Sequence, residues 1–206
     1  PVKTRLNRIV LLGVGEPSEL TDVICQKAGG VVVTVLERGS EAKATLLFDD
    51  YKGMAIDVAT AAANTVFGAK LRSYKFDKYF TKLTADKKSK LSSFDLAGNV
   101  SALKKAYATL DKIADGVCFA RDLINEPANV IYPETLAQKC KELTKLGVKV
   151  EVLDEKAMKK LGMGSLLCVS QGSGFPPRLV AMYWQGNPKA KDKRPLAIVG
   201  KGVTFD

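Results

Sequence analysis

Ala28-Gly-Gly-Val-Val-Val-Thr-Val-Leu36 is the stretch on which the fold class turns. Five of its last six residues are β-branched, a composition that favours a pleated, packed strand. The glycines in front of them, Gly29 and Gly30, read as the stop of a helix capped by Ser18 and ending near Ala28. On that reading Val31–Leu36 is a central strand. On its N-terminal side, Arg8-Ile-Val-Leu-Leu12 is a short apolar run closed by Gly13, as expected of a buried strand. On its C-terminal side, Ala44-Thr-Leu-Leu-Phe48 reads as a third strand, followed by an alanine-rich helix from about Met54 to Phe67. Alternating strands and helices predict an α/β layer structure with parallel pairing.

Residues 70–90 break this rhythm. Eight lysines and arginines, from Lys70 and Arg72 to Lys90, face only Asp77 and Asp86, with Tyr74, Phe76, Tyr79 and Phe80 interleaved. Basic residues mixed with aromatics suit a nucleic-acid surface. The favoured reading is a solvated connector whose aromatics anchor it to the core. A long helix is predicted from about Asn99 to Leu123, because Val100, Leu103, Tyr107, Leu110, Ala114 and Val117 recur at spacings of three and four. Pro127 ends it, and a domain boundary is placed near that end.

A second α/β layer then begins. Pro133 and Glu134 start a helix that Gly147 ends, and Val148-Lys-Val-Glu-Val-Leu153 alternates as a strand. A short helix to Leu161 follows. Ser165–Ser170, Arg178–Trp184 and Pro195–Val199 are the further strands expected. Three domains or segments result: 1–98, 99–127 and 128–206.

Composition narrows the chemistry. The 206 residues carry 32 Lys+Arg against 22 Asp+Glu, a net charge of +10, with four cysteines and no histidine. Within this chain, Ser-His-Asp and Cys-His catalysis, His-ligated zinc and histidine as general base are therefore excluded. Cys25, Cys118, Cys140 and Cys168 form no CxxC pair and sit among apolar residues, so buried reduced thiols are expected. No apolar run approaches the roughly 20 residues that span a bilayer. A soluble, cytoplasmic protein with no membrane partner is the expectation.

Three glycine-rich spots fail as nucleotide sites. Gly13-Val-Gly15 has Ser18 where GxGxxG needs glycine, Gly172-Ser-Gly174 lacks the P-loop lysine, and Gly200-Lys-Gly202 is followed by Val203 instead of Ser or Thr. No cofactor-binding residues are assigned there. The last segment, Val199-Gly-Lys-Gly-Val-Thr-Phe-Asp206, differs from the others. A buried strand would deliver Lys201 and then Asp206 at its C-terminal end, where open α/β sheets place their sites. Read from the residues alone, this is either a functional Lys/Asp pair or a surface lysine with a helix-capping aspartate.

Gly200-Lys-Gly-Val-Thr-Phe-Asp206 resembles the first metal-binding signature of the leucine (cytosol) aminopeptidase family. Phe119-Ala-Arg-Asp-Leu-Ile-Asn-Glu-Pro-Ala-Asn129 is similar to that family's interdomain segment. Val150–Glu155, Leu161-Gly-Met-Gly164 and Gly172-Ser-Gly-Phe-Pro-Pro-Arg178 follow in the family's order. Residues 115–206 match closely, and residues 1–114 more loosely.

The resemblance implies a macro-like N-terminal α/β domain, a long linking helix, and the start of a zinc-exopeptidase-like α/β catalytic domain. It implies a metal-dependent aminopeptidase that releases N-terminal residues, preferably leucine, from peptide substrates through a two-metal-activated water. Lys201 would ligate one metal and Asp206 would bridge both. The cofactors implied are two divalent ions (manganese, zinc or magnesium) and a bicarbonate, and the assembly implied is a homohexamer. A lysine can ligate only as the neutral amine, which burial and a nearby dication would favour. The family's remaining ligands and catalytic groups fall beyond position 206. The 206-residue chain is thus expected to hold part of the site, no catalytic residue, and no activity alone. The competing expectation is a nucleic-acid-binding module in the basic N-terminal half.

Overall fold

The computed structural model describes residues 6, 8–82, 84 and 89–204. It divides into two units, residues 1–122 and 123–206.

In the first unit, a 3-10 turn at Pro17–Glu19 precedes helix α1, Asp22–Glu37. Strand β1 is Lys43–Leu47, helix α2 Val58–Ser73, strand β2 Ser93–Ala97 and helix α3 Val100–Asn125. The strands β1 and β2 pair in parallel with Leu46 opposite Leu96, and α2 lies in the connection between them. That is the parallel α/β arrangement the sequence predicts.

Helix α1 corrects the reading of Val31–Leu36, which is helix and not strand. Its buried residues are Cys25, Ala28, Gly29, Val32, Val33 and Leu36, the spacing of one helical stripe. The stripe runs through the glycine pair, which does not stop the helix. The β-branched preference for strand amounts to tenths of a kcal/mol per residue, and burial of a continuous stripe outweighs it. Capping follows the same local logic, with Thr21 in place of the expected Ser18. The Thr21 hydroxyl accepts from the Ile24 amide at 3.3 Å. Asp57 caps α2 by accepting from the Thr60 amide at 3.0 Å, which sets the helix start past Met54.

Helix α2 is buried nearly all round, and its alanines let α1 pack close. Between the two helices Asn64 is buried and satisfied. It accepts from Gln26 Nε2 at 2.8 Å and donates to Asp22 Oδ1 at 3.0 Å and the Thr60 carbonyl at 3.1 Å. At the N-terminal end of α1, Leu20, Cys25 and Ala61 form a buried cluster, with Val14, Phe48, Met54 and Ile56 packed on it. Helix α3 buries Leu103 and Ala114, while Val100 and Val117 at the ends of the predicted stripe are exposed. Polar contacts tie it to α2. Lys70 Nζ donates to Asp111 at 2.7 Å and also to Asp115, Tyr74 donates to Asp122 at 2.8 Å, and Arg121 donates to the Leu71 carbonyl at 2.8 Å. Arg8–Leu12 forms no strand and has no regular structure, with Leu11 and Ile9 facing solvent.

In the second unit, helix α4 is Pro133–Glu142, followed by a 3-10 turn and Gly147 in the left-handed conformation at φ 86°. Strand β3, Lys149–Leu153, pairs antiparallel with β4, Leu179–Tyr183, Glu151 opposite Ala181. Helix α5 is Glu155–Lys160, capped by Asp154, which accepts from the Ala157 amide at 2.8 Å. Helix α6, Gly164–Cys168, replaces the strand expected at Ser165–Ser170. There the Ser170 hydroxyl and the Cys168 thiol donate back to the Leu167 and Ser165 carbonyls, closing local turns that compete with a strand ladder. Pro195–Val199, the last expected strand, has no ladder partner among the described residues and is exposed throughout. Among the described residues of this unit only Ile131, Ala137 and Met158 are buried.

Candidate metal-binding segment

Two of the motifs singled out from sequence meet in the second unit. The turn into α4 is held by the Tyr132 amide, which donates to Thr135 Oγ1 at 2.9 Å. Tyr132 then stacks on Phe175 with ring centroids 4.6 Å apart. Glu134, in the first turn of α4, faces Arg178 at 3.8 Å. Arg178 is largely buried and also donates to the Pro177 carbonyl at 2.9 Å. So the Gly172–Arg178 loop is fastened to the start of α4 by a ring stack and an ion pair. Neither pairing has a local signature, because the partners are distant in sequence and their spacing carries no period.

Lys201 lies past this scaffold, in a stretch without regular structure and exposed to solvent. The backbone at Gly202 packs against α4, where a Cβ would meet Leu136 Cδ2 at 3.3 Å. Asp206, the second candidate ligand, lies outside the described residues. No group of three or more Cys, Asp or Glu that could hold a metal occurs among the described residues. One exposed amine is therefore the whole described donor set. Two divalent ions need several oxygen or nitrogen ligands each, so the described residues do not fit a two-metal centre.

The cysteines separate by environment. Cys25 is buried, Cys118 and Cys140 are half-buried and Cys168 is exposed, so the expectation of uniformly buried thiols holds for the first alone. Burial pushes the Cys25 and Cys140 thiols up from their ordinary values.

Two of the basic residues from the end of α2 onward are paired with carboxylates. Lys70 is neutralised by Asp111 and Asp115, Lys75 meets Glu37 at 2.9 Å, and Lys78 lies over the Tyr79 ring. Tyr74 and Phe76 are half-buried whereas Tyr79 and Phe80 are exposed, so only the first two anchor the segment. Asp86, Lys87 and Lys88 lie outside the described residues. This arrangement gives the nucleic-acid reading no support.

The catalytic-domain model of the cytosol aminopeptidase family matches residues 118–206, and the N-terminal-domain model of the same family matches residues 1–83. A protein of Sinorhizobium fredii named "Probable cytosol aminopeptidase" is 48% identical over 205 residues, covering 97% of the chain and 40% of the relative. One of the same name from Afipia carboxidovorans is 44% identical over 207 residues, covering 100% of the chain and 41% of the relative. The chain thus spans about two fifths of the length of these relatives. The fold is similar to the bottromycin maturation enzyme BotP in complex with Mn, with TM-score 0.69 and 26% identity over 82% of the chain and 35% of that structure. It is also similar to a mutant of tomato leucine aminopeptidase, TM-score 0.70 and 20% identity over 83% of the chain and 34% of that structure, a likeness of fold.

Proposed function

The chain belongs to the cytosol aminopeptidase family, and from that premise we propose that the whole protein is an aminopeptidase releasing N-terminal residues, leucine by preference, from peptides. The observation that carries this reading is the agreement of two family models, one for each part of the chain, with whole-chain similarity to proteins named as cytosol aminopeptidases. The residues 1–98 would form the N-terminal domain, 99–127 the link and 128–206 the start of the catalytic domain.

Divalent metals belong to the same proposal. The support is the solved relative in complex with Mn, together with the Gly200–Asp206 segment, in which Lys201 would be one ligand and Asp206 another. Such ions polarise a carbonyl and activate water when bound. Because the described donors do not complete either coordination sphere, no step is assigned to this chain's residues. The 206-residue chain alone is expected not to hydrolyse peptides. A cytoplasmic, hexameric protein extends the reading, and no helix among the described residues is long and apolar enough to cross a membrane.

The test is hydrolysis of a leucine anilide with added manganese. The whole protein is expected to turn it over and the 206-residue chain is not. Absence of turnover by the whole protein on any peptide or anilide tried would overturn the reading.

A further inference from the structure

A cavity of about 200 Å³ lies within the first unit, bounded by α1, α2 and the start of β2. Its apolar walls include Val33 on α1, Val66 and Ala69 on α2, and Phe94 on β2. Val33 and Ala69 are buried. Helix α2 also brings Lys70 and Ser73, which share one helical face with Val66 at spacings of three and four. Ser73 and Ser92, both in the lining, are exposed and put solvent at the rim.

The polar side chains of the lining are engaged elsewhere, with one exception. Lys70 Nζ donates to Asp111 at 2.7 Å and also to Asp115. The Ser73 hydroxyl donates to the Lys70 carbonyl and the Ser92 hydroxyl to the Ala42 carbonyl, each at 2.9 Å. The Ser93 hydroxyl oxygen is buried and has no hydrogen-bond partner among the described residues. Ser93 opens β2 opposite Lys43, so the parallel ladder holds its backbone beside the cavity. A buried hydroxyl left without a partner costs stability, and native structures rarely keep one. Water does not answer it well. A buried water takes two to four polar partners, and the lining side chains leave one.

We propose that this cavity is a binding site for a small neutral molecule, one apolar ring with a single hydroxyl that meets Ser93. An apolar cavity of about 150 Å³ holds benzene, so this one has room for a ring and its substituent. Lys70 is already neutralised, and no unpaired charge in the lining is left to hold a carboxylate or an ammonium. The site belongs to the first unit and stands apart from the proposed aminopeptidase activity.

Phenol and benzene are the probes, titrated into the isotope-labelled 206-residue chain and followed by amide chemical shifts in NMR. Phenol at millimolar concentration is expected to move the amides of Val33, Val66 and Ser93. Ser93→Ala removes only the unpartnered hydroxyl. It should keep the circular dichroism spectrum and benzene binding, while the ratio of phenol to benzene affinity falls roughly tenfold. Val66→Phe should fill the cavity and abolish binding of both probes. If that variant fails to fold, the ratio in Ser93→Ala still decides. No shift at these amides with either probe would overturn the proposal, leaving ordered water as the occupant. An unchanged ratio in Ser93→Ala would overturn it too, as would equal shifts from benzoate or benzylamine.

Discussion

Gly29 on α1 lies directly against the backbone of Thr65 on α2; a Cβ at position 29 would overlap the Thr65 carbonyl oxygen and stand 2.7 Å from the Ala69 amide nitrogen. Gly68 returns the contact, facing the backbone of Gln26. The two helices therefore touch backbone to backbone, and the glycine is a packing residue inside a helix.

Neighbouring glycines should respond with opposite signs. Gly29→Ala has only backbone to push against, so it is expected to lower the stability of the first unit by about 2 kcal/mol or more. At Gly30 a Cβ would meet Arg72 Cβ at an ordinary 3.8 Å. Gly30→Ala gains helix propensity and should be neutral or stabilising by up to about 1 kcal/mol. Urea unfolding followed by circular dichroism gives both values, and equal losses would contradict the crossing.

The clamp between α2 and α3 is acid-sensitive. The Lys70 ammonium, followed by that of Lys112, holds the Asp111 carboxyl down from 3.8 to about 2, and Asp115 is lowered for the same reason. Depressed carboxylates contribute above their unfolded value and lose that contribution as pH falls through the folded value. Lys70 is raised by Asp111 and Asp115, so its contribution is intact below its ordinary 10.5 and fades only above it. Stability of the first unit should thus fall between about pH 4 and 2, and Lys70→Met should flatten that limb. The pair is partly exposed, so the effect is modest and salt weakens it. Thermal midpoints across pH 2–6 at low and high salt read it out.

Thiol reactivity should follow exposure. Cys168 is expected to react first with a disulfide reagent and Cys25 last, its thiol being both buried and shifted up. In denaturant all four should react at similar rates. Peptide mapping after a short native pulse reports the order, and early labelling of Cys25 would refute the packing of α1 on α2.

Loss of a helix cap isolates a local effect. Asp57 accepts from both the Thr60 amide and its hydroxyl, at 3.0 and 2.6 Å. Asp57→Ala should cost about 1 kcal/mol and Asp57→Ser a smaller part of that. The same denaturation assay distinguishes the two.

Lys201 is tested in the whole protein. Lys201→Met is expected to lower anilide turnover at least about 100-fold, as removal of a ligand does, with the circular dichroism spectrum unchanged. Lys193→Met, in the exposed loop before the apolar run, should leave turnover at its original level.

Local patterns in the sequence determined much of this protein. The period-two run at Lys149–Leu153, the apolar spacing of α3 and the Pro133 start of α4 depend on a few neighbouring residues, and each element stands where those residues placed it. The strings Phe119–Asn129, Gly172–Arg178 and Gly200–Asp206 are enough to indicate the family. Tertiary structure alone decided the state of Val31–Leu36 and the fastening of Arg178 to Glu134. The reason is physical. A glycine pair stops a helix when water or a turn lies beside it, and continues it when another backbone must come that close. A β-branched run is likewise a strand only where a neighbouring strand takes its hydrogen bonds, and the residues of the run do not carry that partner with them.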